Sequence, residues 1–289
     1  MGVEKTLALE SPEMAGIQLV LLRACGVSLS AGLRRTLRNG ILSAAAALRE
    51  DPERLVQRIL SEEPEAVAAL IEHSVVGESY FYRHPGQFAA LEREAWGRPE
   101  PLQIWCAGCA AGEEAYSLAM AILEAGRGGR GDRILATDVS ESALRRAREA
   151  RYGARSLRHL SPALRSRWFR GEPPLLEVVP EVRSLVRFQR HNLLAEPAPG
   201  EFDLVVCRNV LIYFEPDTAA RVLDRLVEAV RPGGHLVLGP VELPLAARLA
   251  LEWVGVYGAS ILRKPGDRGA PTAPGGADGD VPSPPERSR

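Results

Sequence analysis

A chain of 289 residues, 46% apolar and 25% charged, has the makeup of an ordinary globular protein able to bury a sizeable core. Its formal net charge of −1 provides no global field that would favour nucleic acid or an anionic membrane surface. No apolar run is long enough to span a bilayer, Met1–Glu10 lacks a signal-peptide hydrophobic core, and four cysteines do not make a disulfide framework, so a cytoplasmic protein is expected.

From Ser11 to His73 the pattern is helical. Pro12 suits a first helical turn, Ile17 and Leu19–Leu22 form an apolar block, and Gly26 closes that helix. Ser30 is the expected N-cap of a second helix running through Leu33, Leu37, Ile41 and Leu42. Asp51-Pro52-Glu53 starts a third, and Pro64 starts a fourth with Val67, Leu70 and Ile71 inward. These elements predict an all-α domain over residues 11–75. Its second helix carries Arg34, Arg35, Arg38 and Arg49 with few nearby acids, which fits either a solvated face or a docking surface for an acidic partner helix.

Val76–Phe88 breaks the helical rhythm. Its aromatic trio Tyr80, Phe81 and Tyr82 either welds two domains together or presents Arg83 in a fixed direction that suits a carboxylate. Ile104–Met120 reads as strand, tight turn, helix. The small residues Ala107, Gly108, Ala110, Ala111 and Gly112 let a ligand approach the backbone above the helix N-terminus, although a plain strand-to-helix turn favours glycine too. Cys106 and Cys109 form a C-x-x-C, but Cys25 and Cys207 do not supply a second ligand pair at suitable spacing, so no metal is expected. A second strand, Arg133–Thr137, ends in Asp138. An acid at that place holds the hydroxyls of a nucleotide ribose, or caps the helix that follows from Ser140.

Tyr152–Phe169 is Arg-rich and helical in parts. Gly171–Arg187 alternates Leu175, Val178, Val182 and Val186 with polar residues or proline, which predicts short antiparallel strands. Asn192-Leu193-Leu194 is a loop, and Phe202–Cys207 has the composition of a buried parallel strand. It leads into Arg208–Phe214, an amphipathic helix over Pro216–Val230, the stop Arg231-Pro-Gly-Gly234 and a strand at His235–Leu238. The Pro, Gly, Asp and Ser run over 265–289 is expected to be a disordered tail.

Four blocks in this order resemble the CheR-type chemotaxis methyltransferases, which methylate receptor glutamates with S-adenosylmethionine. They are Gly-Glu-Ser-Tyr-Phe-Tyr-Arg83, Ala-Gly-Cys-Ala-Ala-Gly-Glu-Glu114, Ala-Thr-Asp138 and Cys-Arg-Asn-Val-Leu-Ile-Tyr-Phe214, the last being the most specific. With the helical front domain the resemblance covers roughly Ala15 to Lys264. It implies an α/β fold of the class I methyltransferase type: a Rossmann-like doubly wound sheet over 76–264, an N-terminal all-α domain, and a small inserted antiparallel β-subdomain at about 171–188.

The resemblance also implies roles. Ser79, Arg83, Gly108, Glu114 and Asp138 would contact the methyl donor, with S-adenosylhomocysteine as product. Asn192 and Leu193 would lie near the adenine, and Arg208 and Asn209 on the loop after the fourth strand. Arg83 and Tyr213 would flank the transferring methyl group. The implied partner is the cytoplasmic domain of a chemoreceptor, met by a monomer without nucleic acid or membrane insertion. Three departures stand out: Gly77 and Ser79 where relatives carry Asn and Thr, Gly239-Pro240-Val241-Glu242 in place of Gly-His-Ser-Glu, and a Gly171–Arg187 stretch short for a subdomain that grips a receptor's tether peptide. The last favours tether-independent docking through the Arg34/Arg35/Arg38 helix. The alternatives are a methyltransferase acting on another protein or a small molecule, and a non-catalytic module that senses S-adenosylmethionine.

Overall fold

The structure is a computed structural model that describes residues 10–28, 34–75, 77–254 and 261–266. Residues 1–9, Ser30, Leu33, Val76 and all but the first two residues of 265–289 lie outside the described residues, and the expectations for them with it.

Four helices form the N-terminal bundle: α1 (Pro12–Cys25), α2 (Arg34–Leu48), α3 (Pro52–Leu60) and α4 (Pro64–Ser74). Local chemistry sets their ends. Ser11 Oγ accepts the Met14 N–H at 3.2 Å ahead of Pro12, and Asp51 accepts the N–H groups of Glu53 and Arg54 ahead of Pro52. Gly26 ends α1 in the left-handed region and returns its N–H to the Leu22 carbonyl. Ile17, Leu21, Leu37, Ile41, Leu55, Ile59 and Leu70 belong to a core of the bundle's own.

The strands of the second part are, in chain order, β1 (Gln103–Ala107), β2 (Arg133–Asp138), β3 (Arg151–Tyr152), β4 (Phe169–Arg170) and β5 (Leu176–Val178). Then come β6 (Val186–Arg190), β7 (Phe202–Cys207), β8 (Val230–Leu238), β9 (Glu252–Trp253) and β10 (Ile261–Arg263). The main sheet has the spatial order β6-β2-β1-β7-β8-β10-β9. Its first five members run parallel, and β10 joins β8 and β9 antiparallel. Side chains alternate across it: Ile104 and Cys106 of β1 enter one core, Trp105 and Ala107 the other. Both faces are therefore buried, as a doubly wound sheet requires. The direction of winding reverses between β1 and β7, so a crevice opens where their carboxyl ends diverge.

The helices that serve the sheet are α5 (Pro85–Glu94), α6 (Glu113–Glu124), α7 (Glu141–Glu149), the short α8 (Ala154–Leu157), α9 (Pro162–Trp168) and α10 (Pro180–Arg183), and α11 (Pro216–Glu228).

The antiparallel strands lie mostly upstream of 171–188. The small sheet has the order β3-β5-β4, and only Leu176–Val178 comes from the expected stretch. Pro180 begins α10, and Val186–Arg190 joins the main sheet parallel to β2. Val178, Val182 and Val186 are spaced four apart, a spacing that suits one face of a strand and one face of a helical turn equally. All three pack toward the same core, but from a strand, a helix and a second strand.

At the amino edge of the sheet, opposite the crevice, Arg127 is completely buried. It donates to both carboxylate oxygens of Asp132, at 2.9 and 2.8 Å, and to the carbonyls of Trp96 and Glu100 at 2.8 Å. Asp132 in turn accepts the Leu102 N–H at 2.8 Å, joining the entries of β1 and β2. Arg127→Ala leaves a buried carboxylate without its partner and is expected to cost about 3–5 kcal/mol, read as a lower urea midpoint. Ligand affinity at the far edge, measured on the folded protein, should not change.

Candidate active site

The carboxyl ends of β1, β2, β6 and β7 open onto one cavity of ≈ 610 Å³, closed on the other side by Cys25, Val27, Glu72, His73 and Val75 of the helical bundle. All ten residues singled out in the sequence line it: Ser79 and Arg83, Gly108 and Glu114, Asp138, Asn192 and Leu193, and Arg208, Asn209 and Tyr213.

The loop after β1 needs its small residues. Gly108 has φ +78°, and a Cβ there would lie 2.4 Å from Val210 Cγ2 on the loop after β7. Gly112, at φ +93°, packs so closely on α7 that a Cβ would meet the Ala147 Cβ at 2.9 Å. The N–H groups of Gly108 and Cys109 both go to the Thr137 carbonyl of β2. Ala110, also left-handed, donates to Asp138 Oδ2 at 2.8 Å, while the Ser140 N–H donates to Asp138 Oδ1 at 3.0 Å. Burial pushes the Asp138 carboxyl up despite these two donors. Each of its oxygens retains lone-pair capacity toward the cavity.

Glu114 lies in the first turn of α6 and forms an ion pair with Arg208, Oε2 to Nη1 at 2.9 Å. Its other oxygen accepts from Cys106 Sγ at 3.4 Å. Burial raises the Glu114 carboxyl, and the Arg208 charge opposes that shift. Burial also pushes the thiols of Cys106 and Cys109 well up, so the C-x-x-C presents protonated packing groups, Cys109 donating to the Ala110 carbonyl at 3.7 Å.

Arg208 also donates to the main-chain carbonyl of Arg83, tying the loop after β7 to the aromatic segment. That segment is fixed from below by Phe81. Its ring is fully buried and meets Tyr152 and Phe169 of the small sheet edge-on at 4.9 and 5.1 Å. Phe81 is thus the weld, and Arg83, two residues on, faces the cavity. Tyr82, His84 and Asn209 are left-handed non-glycine residues on these two segments, a clustering of backbone strain that belongs to built sites. Arg83 Nε, Arg208 Nε and Asn209 Oδ1 are buried without a protein partner among the described residues. Burial raises the Tyr213 phenol, with the nearby Arg83 charge drawing it partway back.

Asn192 is committed elsewhere. Its amide donates to the Ala24 carbonyl of α1 at 2.8 Å and accepts the Leu194 N–H at 3.0 Å, leaving Asn192 and Leu193 as a wall of the cavity. Arg34, Arg35 and Arg38 do not line it. Arg35 is exposed on α2, and the other two are half-buried.

Sequence reasoning missed Glu242. This carboxylate is wholly buried and accepts four backbone N–H groups: Asn209 and Gly239 on Oε2 at 2.9 and 2.7 Å, Val210 and Leu211 on Oε1 at 2.7 and 2.8 Å. It holds the whole loop that carries Arg208 to Tyr213. The signal was the retained Gly and Glu of Gly239-Pro240-Val241-Glu242; the two departing residues, Pro240 and Val241, are exposed. Glu72, which also lines the cavity from α4, carried no sequence signal.

Residues 77–248 match the family model described as CheR methyltransferase, SAM binding domain. The chain is 34% identical over 246 residues to the "Probable biofilm formation methyltransferase WspC" of Pseudomonas aeruginosa, covering 81% of this chain and 57% of that protein. It is 37% identical over 172 residues to the chemotaxis protein methyltransferase of Listeria monocytogenes, covering 58% and 65% of the two chains. It is 36% identical over 202 residues to chemotaxis protein methyltransferase 1 of Pseudomonas aeruginosa, covering 65% and 74%. The chain thus spans rather more than half the length of the WspC protein.

Glu242→Gln replaces one acceptor oxygen with an N–H donor pointing at backbone N–H groups. The expected loss of stability is on the order of 3 kcal/mol, read by urea denaturation, with weakened S-adenosylhomocysteine binding as the loop loosens.

Proposed function

The chain belongs to the CheR methyltransferase family, and from that premise we propose that it transfers a methyl group from S-adenosylmethionine to glutamate side-chain carboxylates of chemoreceptors, the methyl-accepting chemotaxis proteins. The observation that carries the acceptor assignment is the meeting of Arg83, with its unpartnered Nε, and the protonated Tyr213 phenol in the cavity that Asp138 and Glu114 also line.

The residues present suit the donor. The close fit of Gly108 against Val210 leaves bare backbone where an adenosyl group would lie, and Asp138 has lone pairs to spare for two ribose hydroxyls. Asn192 and Leu193 offer a wall for the adenine, while Glu114, Arg208 and the unpartnered Asn209 Oδ1 offer charges and an acceptor to the amino-acid end. Bound there, the donor supplies an electrophilic methyl on a sulfonium centre.

The protein's own task is alignment. A glutamate side chain has a pKa of about 4.3, so at neutral pH it is already the nucleophile and needs no general base. Holding it in line with the methyl group can contribute roughly 7–11 kcal/mol. Arg83 orients the incoming carboxylate, and Tyr213 donates a hydrogen bond or shapes the site. Too strong an Arg83 pair would stabilise the ground state, so its role is to guide rather than to clamp.

The docking proposal places the acidic receptor helix on Arg34, Arg35 and Arg38, without a tether peptide. Strands of two and three residues in the small sheet leave little edge for an added strand, which supports that reading. The proposal is a monomer that works in the cytoplasm; among the described residues no helix is long and apolar enough to cross a membrane. Relatives are named for both chemotaxis and biofilm formation, and the proposal covers the chemistry rather than the pathway's output.

The deciding experiment is transfer of radiolabelled methyl to receptor cytoplasmic fragments followed by alkaline hydrolysis. Volatile methanol is expected, and label that resists base would refute carboxyl methylation. Arg83→Ala should lower turnover by roughly a hundredfold or more while S-adenosylhomocysteine affinity falls by less, since orientation is what it supplies. Arg35→Glu should raise the KM for receptor about tenfold at low salt and leave donor affinity alone.

A further inference from the structure

The first turn of α7 is completed from the other domain. Ser140 Oγ accepts the Ala143 N–H at 3.1 Å, as a local cap does. The two N–H groups that precede it in the helix do not use local acceptors. Glu72 of α4 takes Glu141 N–H on Oε1 at 2.5 Å and Ser142 N–H on Oε2 at 2.9 Å, and the Ser140 hydroxyl donates to the same Oε2 at 2.8 Å. Burial pushes the Glu72 carboxyl up, but the bonds from Ser142, Ser140 and Glu141 outweigh it and hold the group below the usual carboxylate range. Ser140 sends its own N–H to Asp138 Oδ1. Hydrogen bonds therefore run without a break from the helical bundle, through the start of α7, to the carboxylate at the end of β2. A further polar anchor from the bundle, the Ala24 carbonyl, holds Asn192 in the same cavity wall.

We infer that Glu72 is a positioning residue for donor binding: by capping α7 from the helical domain it fixes the Ser140 N–H that orients Asp138. The helical domain is then a structural part of the donor site as well as a platform for the acceptor. The inference rests on Asp138 holding the donor, and the two are tested separately.

The test is calorimetric titration of the 289-residue chain and its variants with S-adenosylhomocysteine, which requires no receptor. Asp138→Ala should raise Kd about tenfold or more, and Glu72→Gln, which turns one acceptor into a donor, should raise it by about tenfold as well. In the Asp138→Ala background the Glu72→Gln change should add no more than about twofold, because its effect passes through Asp138. A role confined to stability would lower the unfolding midpoint and leave the affinity of folded protein unchanged. An unchanged Kd in Glu72→Gln beside a weakened Asp138→Ala overturns the inference, as does a Glu72→Gln penalty that persists in full without Asp138. An unchanged Kd in Asp138→Ala overturns the Asp138 assignment instead. Should Glu72→Gln fail to fold, hydrogen exchange of the wild type decides: the ligand is expected to slow exchange in residues 64–75 together with 137–145, and protection confined to 137–145 refutes the coupling.

Discussion

A parallel sheet ends its strands together, and the loops that leave its carboxyl edge expose backbone N–H groups that water cannot reach once the site is covered. In this protein buried or half-buried carboxylates meet that demand. Asp138 takes the N–H groups of Ala110 and Ser140, Glu72 those of Glu141 and Ser142, and Glu242 those of Asn209, Val210, Leu211 and Gly239. Each carboxylate stands at a junction between segments far apart in the chain. The shape of the cavity is set by these junctions, and the groups that face a ligand are held by them.

The electrostatic consequence is a site that is charged yet largely self-compensated. Glu114 and Arg208 neutralise one another at 2.9 Å, and the second oxygen of Glu114 is occupied by a thiol. Breaking such a pair from one side would leave a buried charge, which is far more costly than the pair is stabilising. Arg83 Nε, Arg208 Nε and Asn209 Oδ1, on residues that line the cavity, are among the buried groups left with unmet capacity.

Much of this was legible in the sequence, for identifiable reasons. The strand, turn and helix of Ile104–Met120 carry period and glycine placement together, and Asp138 follows directly on its strand, so both could be read locally. The string Arg208–Phe214 was legible by resemblance, and every residue taken from it lines the cavity. What could not be read was action at a distance. Glu242 lies some thirty residues beyond the loop it holds, and its retained Gly and Glu mark the block without saying what the carboxylate binds; Glu72 lies nearly seventy before the helix it caps and has no local pattern that distinguishes it from a surface acid. The small sheet was misplaced for a related reason. Val182 and Val186 mark a buried face, and a buried face does not state whether a strand or a helical turn presents it.

The four cysteines acquire a meaning of their own from their burial. Cys25 sits in the helical bundle, Cys106 and Cys207 in the sheet and Cys109 in the loop after β1, each almost inaccessible, with burial raising the Cys25 thiol to about 11 and the others well up. The folded molecule therefore offers alkylating or oxidising agents almost no thiolate, and such reagents gain entry only when a domain opens. Because the thiols are divided between the two domains, the order in which they are modified is a record of which half of the molecule breathes first.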